Sequence, residues 1–376
     1  MNSEFPLRDG LVYLNHAAIG VWPRRTADAV KAFAEENMVQ GATGFPLWLK
    51  TDRELRSRLQ RLVNAAGVDD IALVKNTSEG LSFIAYGLDW QVEENIVSTD
   101  QEFPSNRIVW ESLATRGVEL RKADISGDDP EEQMIALMDE KTRLLTVSSV
   151  QFGTGLRMDL KRLGEACRER GVLFCVDAIQ SLGALQFDAQ AVHADFVVAD
   201  GHKWMLGPEG MALFYSTQEA RDRLSLTQFG WHMVEHAGDF DRESWSPARS
   251  AKRFEPGSQN MLGIHALNAS LSLFEEIGMG EVEKRLLERS GLLMDHISDH
   301  HQLELITPVS PDRHAGIVTF RYKGLDSKGH AELYRKLMSK GVICAYRAGG
   351  IRFSPHFYTD EGCFEHALKE VVNQSV

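Results

Sequence analysis

VLFCVDAIQSLG, residues 172–183, and DFVVADGHKWMLGPEG, residues 195–210, share one pattern. Each opens as an apolar run of the kind that reads as a strand covered on both faces, and each closes on polar residues. In open α/β sheets the C-terminal edges of the strands are where ligands sit. The first edge presents Asp177 and Gln180, the second Asp200, His202 and Lys203.

The same rhythm extends outward. Strands are predicted at Ile71–Lys75, Asn95–Thr99, Val118–Lys122, Leu144–Val150, Val172–Asp177, Asp195–Ala199 and Met211–Tyr215, with helices between them. One such helix, Leu160–Arg170, ends in a basic turn followed by Gly171, a fitting C-cap. Upstream, helical spacing covers Thr26 to about Met38, with Val30, Phe33 and Ala34 on one face. A second helix covers about Asp52 to Ala66, with Leu55, Leu59, Leu62 and Val63 as its stripe. Pro256-Gly257 marks a change of region. Beyond it come helices at about Leu262–Ile277 and Gly280–His300, a strand at Ala315–Tyr322, a helix at His330–Gly341 and short strands at Val342–Tyr346 and Ile351–Ser354. The expectation is an α/β protein with a mainly parallel seven-stranded sheet. It divides into an N-terminal arm (1–22), a large domain (23–255) and a smaller C-terminal α+β domain (256–376).

Composition narrows the function. The 376 residues are 43% hydrophobic and 25% charged, as in a globular domain, and the net charge of −13 argues against a nucleic-acid partner. No apolar run is long enough to span a membrane, and MNSEFPLRDG lacks the basic start and apolar core of a signal peptide, so a cytoplasmic protein is expected. The four cysteines form no CxxC pair and show no metal-ligand spacing with His, which predicts neither disulfides nor zinc.

A lysine at the end of a buried strand is unusual. Lys203 either turns to solvent or pairs with Asp200, or it is a Schiff-base amine whose pKa is lowered by its surroundings. In the second reading Asp177, one helix-length crossover earlier, is the carboxylate that keeps a pyridinium nitrogen protonated. LVKNTSEGLSF, residues 73–83, runs a strand into Asn76-Thr77-Ser78 and then a helix. This is either a plain N-cap or an anion site built from hydroxyls and free N–H groups.

From YLNHAA (13–18) to RFSPHFY (352–358) the chain resembles the class V aminotransferases. These are fold-type I pyridoxal-phosphate (PLP) enzymes whose relatives include cysteine desulfurases, kynureninases and isopenicillin N epimerases. VDAIQSLGA followed by ADGHKW carries most of the resemblance. It implies PLP as cofactor, Lys203 as its Schiff-base lysine and proton shuttle, and Asp177 as pyridinium partner. It further implies Gln180 near the ring hydroxyl, Thr77, Ser78 and His202 around the phosphate, and Phe103 of EFPSN stacked on the ring. Ser258, in RFEPGSQN, matches a hydroxyl that reaches the neighbouring subunit's phosphate, which implies a homodimer with shared sites. Arg352 matches the clamp on the substrate α-carboxylate, and Asn15 a position near the substrate.

The departures are informative. Relatives often carry Ser where Asp200 stands, and a carboxylate pointing inward there would repel the phosphate. Ser149 stands where His is common, which makes Gln151 a possible ring contact. The desulfurase branch needs a Cys on a mobile loop before the carboxylate-binding arginine. Here only Ala-Gly-Gly-Ile separates Arg347 from Arg352, and Cys344 lies earlier, in an expected strand. The favoured expectation is a transaminase acting on a small amino acid with a 2-oxo acid acceptor. A PLP lyase (cysteine/selenocysteine lyase-like or kynureninase-like) or an epimerase is the alternative. Trp231, His232 and Trp245 are candidates for the substrate-side wall. A PLP-sensing regulator would need a basic DNA-binding module, for which this acidic chain has no residues to spare.

Overall fold

The computed structural model describes residues 3–373. A short entry strand, β1 (Val12–Tyr13), precedes the main sheet. That sheet is built from β2 (Ile71–Val74), β3 (Asn95–Thr99), β4 (Glu119–Ala123), β5 (Thr142–Ser148), β6 (Leu173–Asp177), β7 (Phe196–Asp200) and β8 (Ala212–Ser216). Its order is β2-β8-β7-β6-β5-β3-β4, and β8 alone runs antiparallel to its neighbours. All seven strands fall within a residue or two of the apolar runs that predict them. Strands β3, β6, β7 and β8 are buried along their whole length, as helix-covered strands must be. The edge strand β4 instead exposes Glu119 and Lys122, charges that discourage pairing with another chain.

Two helices show how sequence patterning is read and misread. Leu160–Arg170 starts where the Asp159 side chain accepts the Arg162 N–H, and it ends at Gly171 with φ 67°, as expected. Phe45–Val63 begins a full two turns before the predicted start. Its first residues show no apolar stripe because Phe45 and Leu47 lie exposed, although Trp48 is buried.

A second, antiparallel sheet follows. It holds β9 (Leu303–Leu305), β10 (Val318–Tyr322), β12 (Ala345–Arg347) and β13 (Gly350–Phe353), in the order β12-β13-β10-β9. Between its strands β11 (Val342–Ile343) pairs in parallel with β1, tying the entry segment to the C-terminal region. The three-residue β9 is too short to announce itself by alternation. Val12 and Leu14 accordingly pack in the same core as Phe320, Phe353 and Phe364. The helix Met261–Ile277 places Ile264, Leu267 and Leu271 in the core of the main sheet, whereas Met279–Ser298 places Leu293 and Ile297 in the C-terminal core. No helix among the described residues is long and apolar enough to cross a membrane.

Candidate active site

Register brings the chemistry together. Ser148 on β5 lies beside Asp177 on β6, which lies beside Val198 on β7, so Asp200 and Lys203 emerge just past the same sheet edge. The cavity above that edge has a volume of about 250 Å³. Thr77, Ser78, Phe103, Asp177, Gln180, His202, Lys203 and Arg352 all line it. Asn15 and Ser258, which the resemblance also assigns to the site, do not. Asn15 sits beside Ser354, two positions from Arg352, with its amide oxygen buried and unpartnered. Ser258 lines a separate cavity with Lys75, Glu79 and Gly210.

One end of the cavity lies at a helix N-terminus, an arrangement suited to an anion. Asn76 caps the helix Thr77–Gly87 by accepting the Glu79 N–H at 2.9 Å, while Glu79 turns back to the Lys75 N–H at 2.7 Å. The plain N-cap is therefore real, and it leaves the first N–H groups of the helix without intrahelical acceptors. Thr77 Oγ1 is buried there with no partner, and Ser78 donates to Ser105 Oγ at 3.0 Å. Gly80 lets the helix close on the sheet, since a Cβ there would stand 2.8 Å from Val198. Asp200 Oδ1 lies 3.1 Å from His202 Nδ1, yet neither atom is aligned for a hydrogen bond.

The middle of the cavity holds Lys203. It is only 7% exposed, so it does not turn to solvent, and among the described residues no carboxylate lies within ion-pair distance of it. Its Nζ stands 5.4 Å from the centroid of the Phe103 ring, which packs edge-on against Phe152 at 5.1 Å. Burial lowers the pKa of Lys203 against the opposing pull of Asp177, and burial raises that of Asp177. Asp177 accepts the Ile179 N–H at 3.0 Å. The Gln180 amide is held at both ends, donating to Ala17 O at 3.1 Å and accepting from Trp204 Nε1 at 2.7 Å.

At the far wall, Arg352 is buried on β13 and donates through Nη1 to Phe152 O at 2.7 Å. Its Nε has no partner, and among the described residues no carboxylate pairs with it. Burial, reinforced by the nearby Arg347 charge, lowers its pKa to about 9. A buried guanidinium without a counter-ion is costly unless a carboxylate ligand completes it.

The remaining candidates lie elsewhere. Ser149 bonds Ser181 Oγ at 2.8 Å outside the cavity, and Gln151 donates to Glu102 at 3.2 Å. Trp231 and Trp245 line a surface depression, while His232 faces the Glu255 carbonyl at 3.3 Å. The sequence reading passed over Phe152, Arg347 and Glu102. Glu102 lies in the turn after β3, beyond Asp100 and Gln101, so the rule that strand ends carry function could have flagged it.

The family model for aminotransferase class-V matches residues 12–362. The chain belongs to this family. A probable cysteine desulfurase of Methanothermobacter thermautotrophicus is 29% identical over 94% of this chain and 92% of its own length. The kynureninase of Deinococcus radiodurans is 25% identical over 93% and 86%. In fold, the chain is similar to the cystine C–S lyase C-DES, solved with its product cysteine persulfide. That likeness has a TM-score of 0.90 and 24% identity, and covers 98% of this chain and 99% of that one. This class V enzyme therefore works with pyridoxal phosphate. The cavity fits that group: an unpartnered Thr77 hydroxyl at a helix N-terminus suits the phosphate, and a buried amine and carboxylate suit the ring.

Proposed function

We propose that the protein is a pyridoxal-phosphate-dependent carbon–sulfur lyase acting on a small cysteine-type amino acid. The observation that carries the amino-acid substrate is Arg352, a buried guanidinium in the same cavity as Lys203 with no carboxylate partner among the described residues. Support for a lyase over the transaminase expected from the sequence comes from relatives named probable cysteine desulfurases, 29% and 28% identical. Support for elimination over a relay through an enzyme thiol comes from the cavity itself. No cysteine among the described residues lines it, and burial pushes the Cys344 thiol up to about 12, too high for a nucleophile. The turn that precedes Arg352 is a two-residue hairpin at Ala348-Gly349, not a loop.

When bound, the cofactor supplies an electron sink that acidifies the Cα–H bond and lets a β-substituent leave. Arg352 fixes the α-carboxylate by its planar fork, with Asn15 nearby. Lys203 holds the cofactor and takes the Cα proton, a task that its lowered basicity favours. Asp177 would keep the ring nitrogen protonated, Phe103 would cover the ring, and Gln180 would serve the ring hydroxyl. Thr77, Ser78 and His202 would hold the phosphate. The Cα–H and Cβ–S bonds of the substrate would break, sulfur leaving with a proton as hydrogen sulfide from cysteine or as a persulfide from cystine, and water would convert the released enamine to pyruvate and ammonia.

The proposal includes a homodimer in the cytoplasm. Ser258 lies outside its own chain's cavity, free to serve a partner's. Met38, Val39, Leu47 and Phe240 are strongly exposed apolar side chains of the kind that subunit contacts cover.

The test is a product balance. Holoenzyme is given L-cysteine and L-cystine, and pyruvate, ammonia, alanine, sulfide and pyridoxamine phosphate are measured. Pyruvate and ammonia in equal amounts are expected. Alanine with sulfide would mark a desulfurase instead, and pyridoxamine phosphate that a 2-oxo acid reconverts would restore the transaminase.

A further inference from the structure

We propose that Asp200 is a positioning residue for the anion end of the cavity. It holds the His202 ring with Nδ1 turned to its carboxylate, so that Nε2–H faces the cofactor phosphate. The inference rests on the assignment of the phosphate to the Thr77 end.

Asp200 is the last residue of β7, and its side chain is nine-tenths buried. Its Oδ1 and His202 Nδ1 are both buried without hydrogen-bond partners, although they lie 3.1 Å apart. Both residues line the cavity with Thr77, whose Oγ1 is a third unpartnered atom. Among the described residues no Lys or Arg comes within ion-pair distance of Asp200, so His202 is its available counter-charge.

The backbone around the pair is pinned. Gly201 donates to Met211 O at 2.8 Å, and the His202 carbonyl accepts the Gly20 N–H at 2.6 Å. The proximity of the two side chains is therefore set by the fold rather than by a mobile loop.

Chemistry supplies the reason for a carboxylate. A neutral imidazole that gives its one proton to Asp200 presents a lone pair at Nε2, which a phosphate oxygen repels. A ring that carries an N–H at each nitrogen can donate to the carboxylate and to the phosphate at once. A serine at this position would bring no carboxylate acceptor to Nδ1.

The test titrates apoprotein with PLP and with pyridoxal, which lacks the phosphate, following cofactor absorbance. D200N should weaken PLP binding about tenfold, the worth of one charge-assisted hydrogen bond, and leave pyridoxal binding within about twofold. H202Q should also weaken PLP, and the double variant should bind no more weakly than H202Q alone. Tighter PLP binding by D200N would mean that the carboxylate merely repels the phosphate. Additive losses, or equal losses for both ligands, would equally overturn the proposal. Wild-type PLP binding in the same titration reads the cofactor assignment separately; its absence would overturn both.

Discussion

Glu102 is a buried carboxylate with no cation within ion-pair distance among the described residues. Donors replace the cation: Ser148 N–H at 2.7 Å and Oγ–H at 2.5 Å, Asn106 at 3.0 Å and Gln151 at 3.2 Å. These bonds tie the segment carrying Phe103 to the one carrying Phe152, so both aromatic walls are set by one side chain. Phe152 in turn receives Arg352. In E102Q an amide group would meet donors with a donor. The variant should lose about 1–3 kcal/mol in urea unfolding, the usual cost of buried groups left unsatisfied. An unchanged midpoint would show that the walls are held otherwise. Lys203 and Asp177 were legible at this scale because charged residue types stand out at the ends of apolar strands, whereas Arg352 was legible only through the family resemblance of RFSPHFY. Glu102 was less so, because its neighbours arrive from strands far apart in sequence.

Strands were easier to read than helix starts or short strands. The seven runs of the main sheet are continuous and apolar, a signal that burial on both faces imposes. Phe45–Val63 instead owes its position to a polar anchor that no local pattern announces. Arg56 pairs with Glu255 at 2.6 and 2.7 Å and with Asp52 at 3.1 Å, and donates to Ile71 O at 3.1 Å. Glu255 also accepts the Leu73 N–H at 2.9 Å, which joins helix, β2 and the RFEPGSQN segment. Removing the cation strands two buried carboxylates. R56A should lose about 3–5 kcal/mol in chemical unfolding. A loss below about 1 kcal/mol would mean that water reaches the network.

Across the whole molecule, His16 from the entry segment and His356 from the C-terminal region meet behind Trp204. His16 Nδ1 faces Ser354 O at 2.9 Å, and its Nε2 faces the Tyr358 hydroxyl at 2.7 Å. His356 bonds Trp204 O at 3.0 Å. Burial lowers both pKa values, that of His16 to about 4. Below about pH 6.5 the unfolded chain takes up a proton that the folded His16 refuses, so His16 withdraws stability as pH falls toward 4. Asp177 and Glu102, whose pKa values burial raises, act in the opposite sense. The comparison that isolates His16 is wild type against H16Q, in which those carboxyls are common. Between pH 7 and pH 5 the wild type should lose about 2 kcal/mol more than H16Q, read from urea midpoints. Parallel pH profiles would contradict a neutral buried His16.

By itself, the sequence determined the sheet, the family and the placing of Lys203 and Asp177 at strand ends, because strand burial and reactive residue types leave local marks. Tertiary structure decided which candidates share a cavity. It gathered Thr77, Lys203 and Arg352 from three distant segments, left Ser258 outside and set Asp200 within 3.1 Å of His202 but beyond ion-pair distance of Lys203. The physical reason is that a partner is chosen by distance and alignment in the folded chain, and spacing along the sequence does not encode either for residues on separate strands.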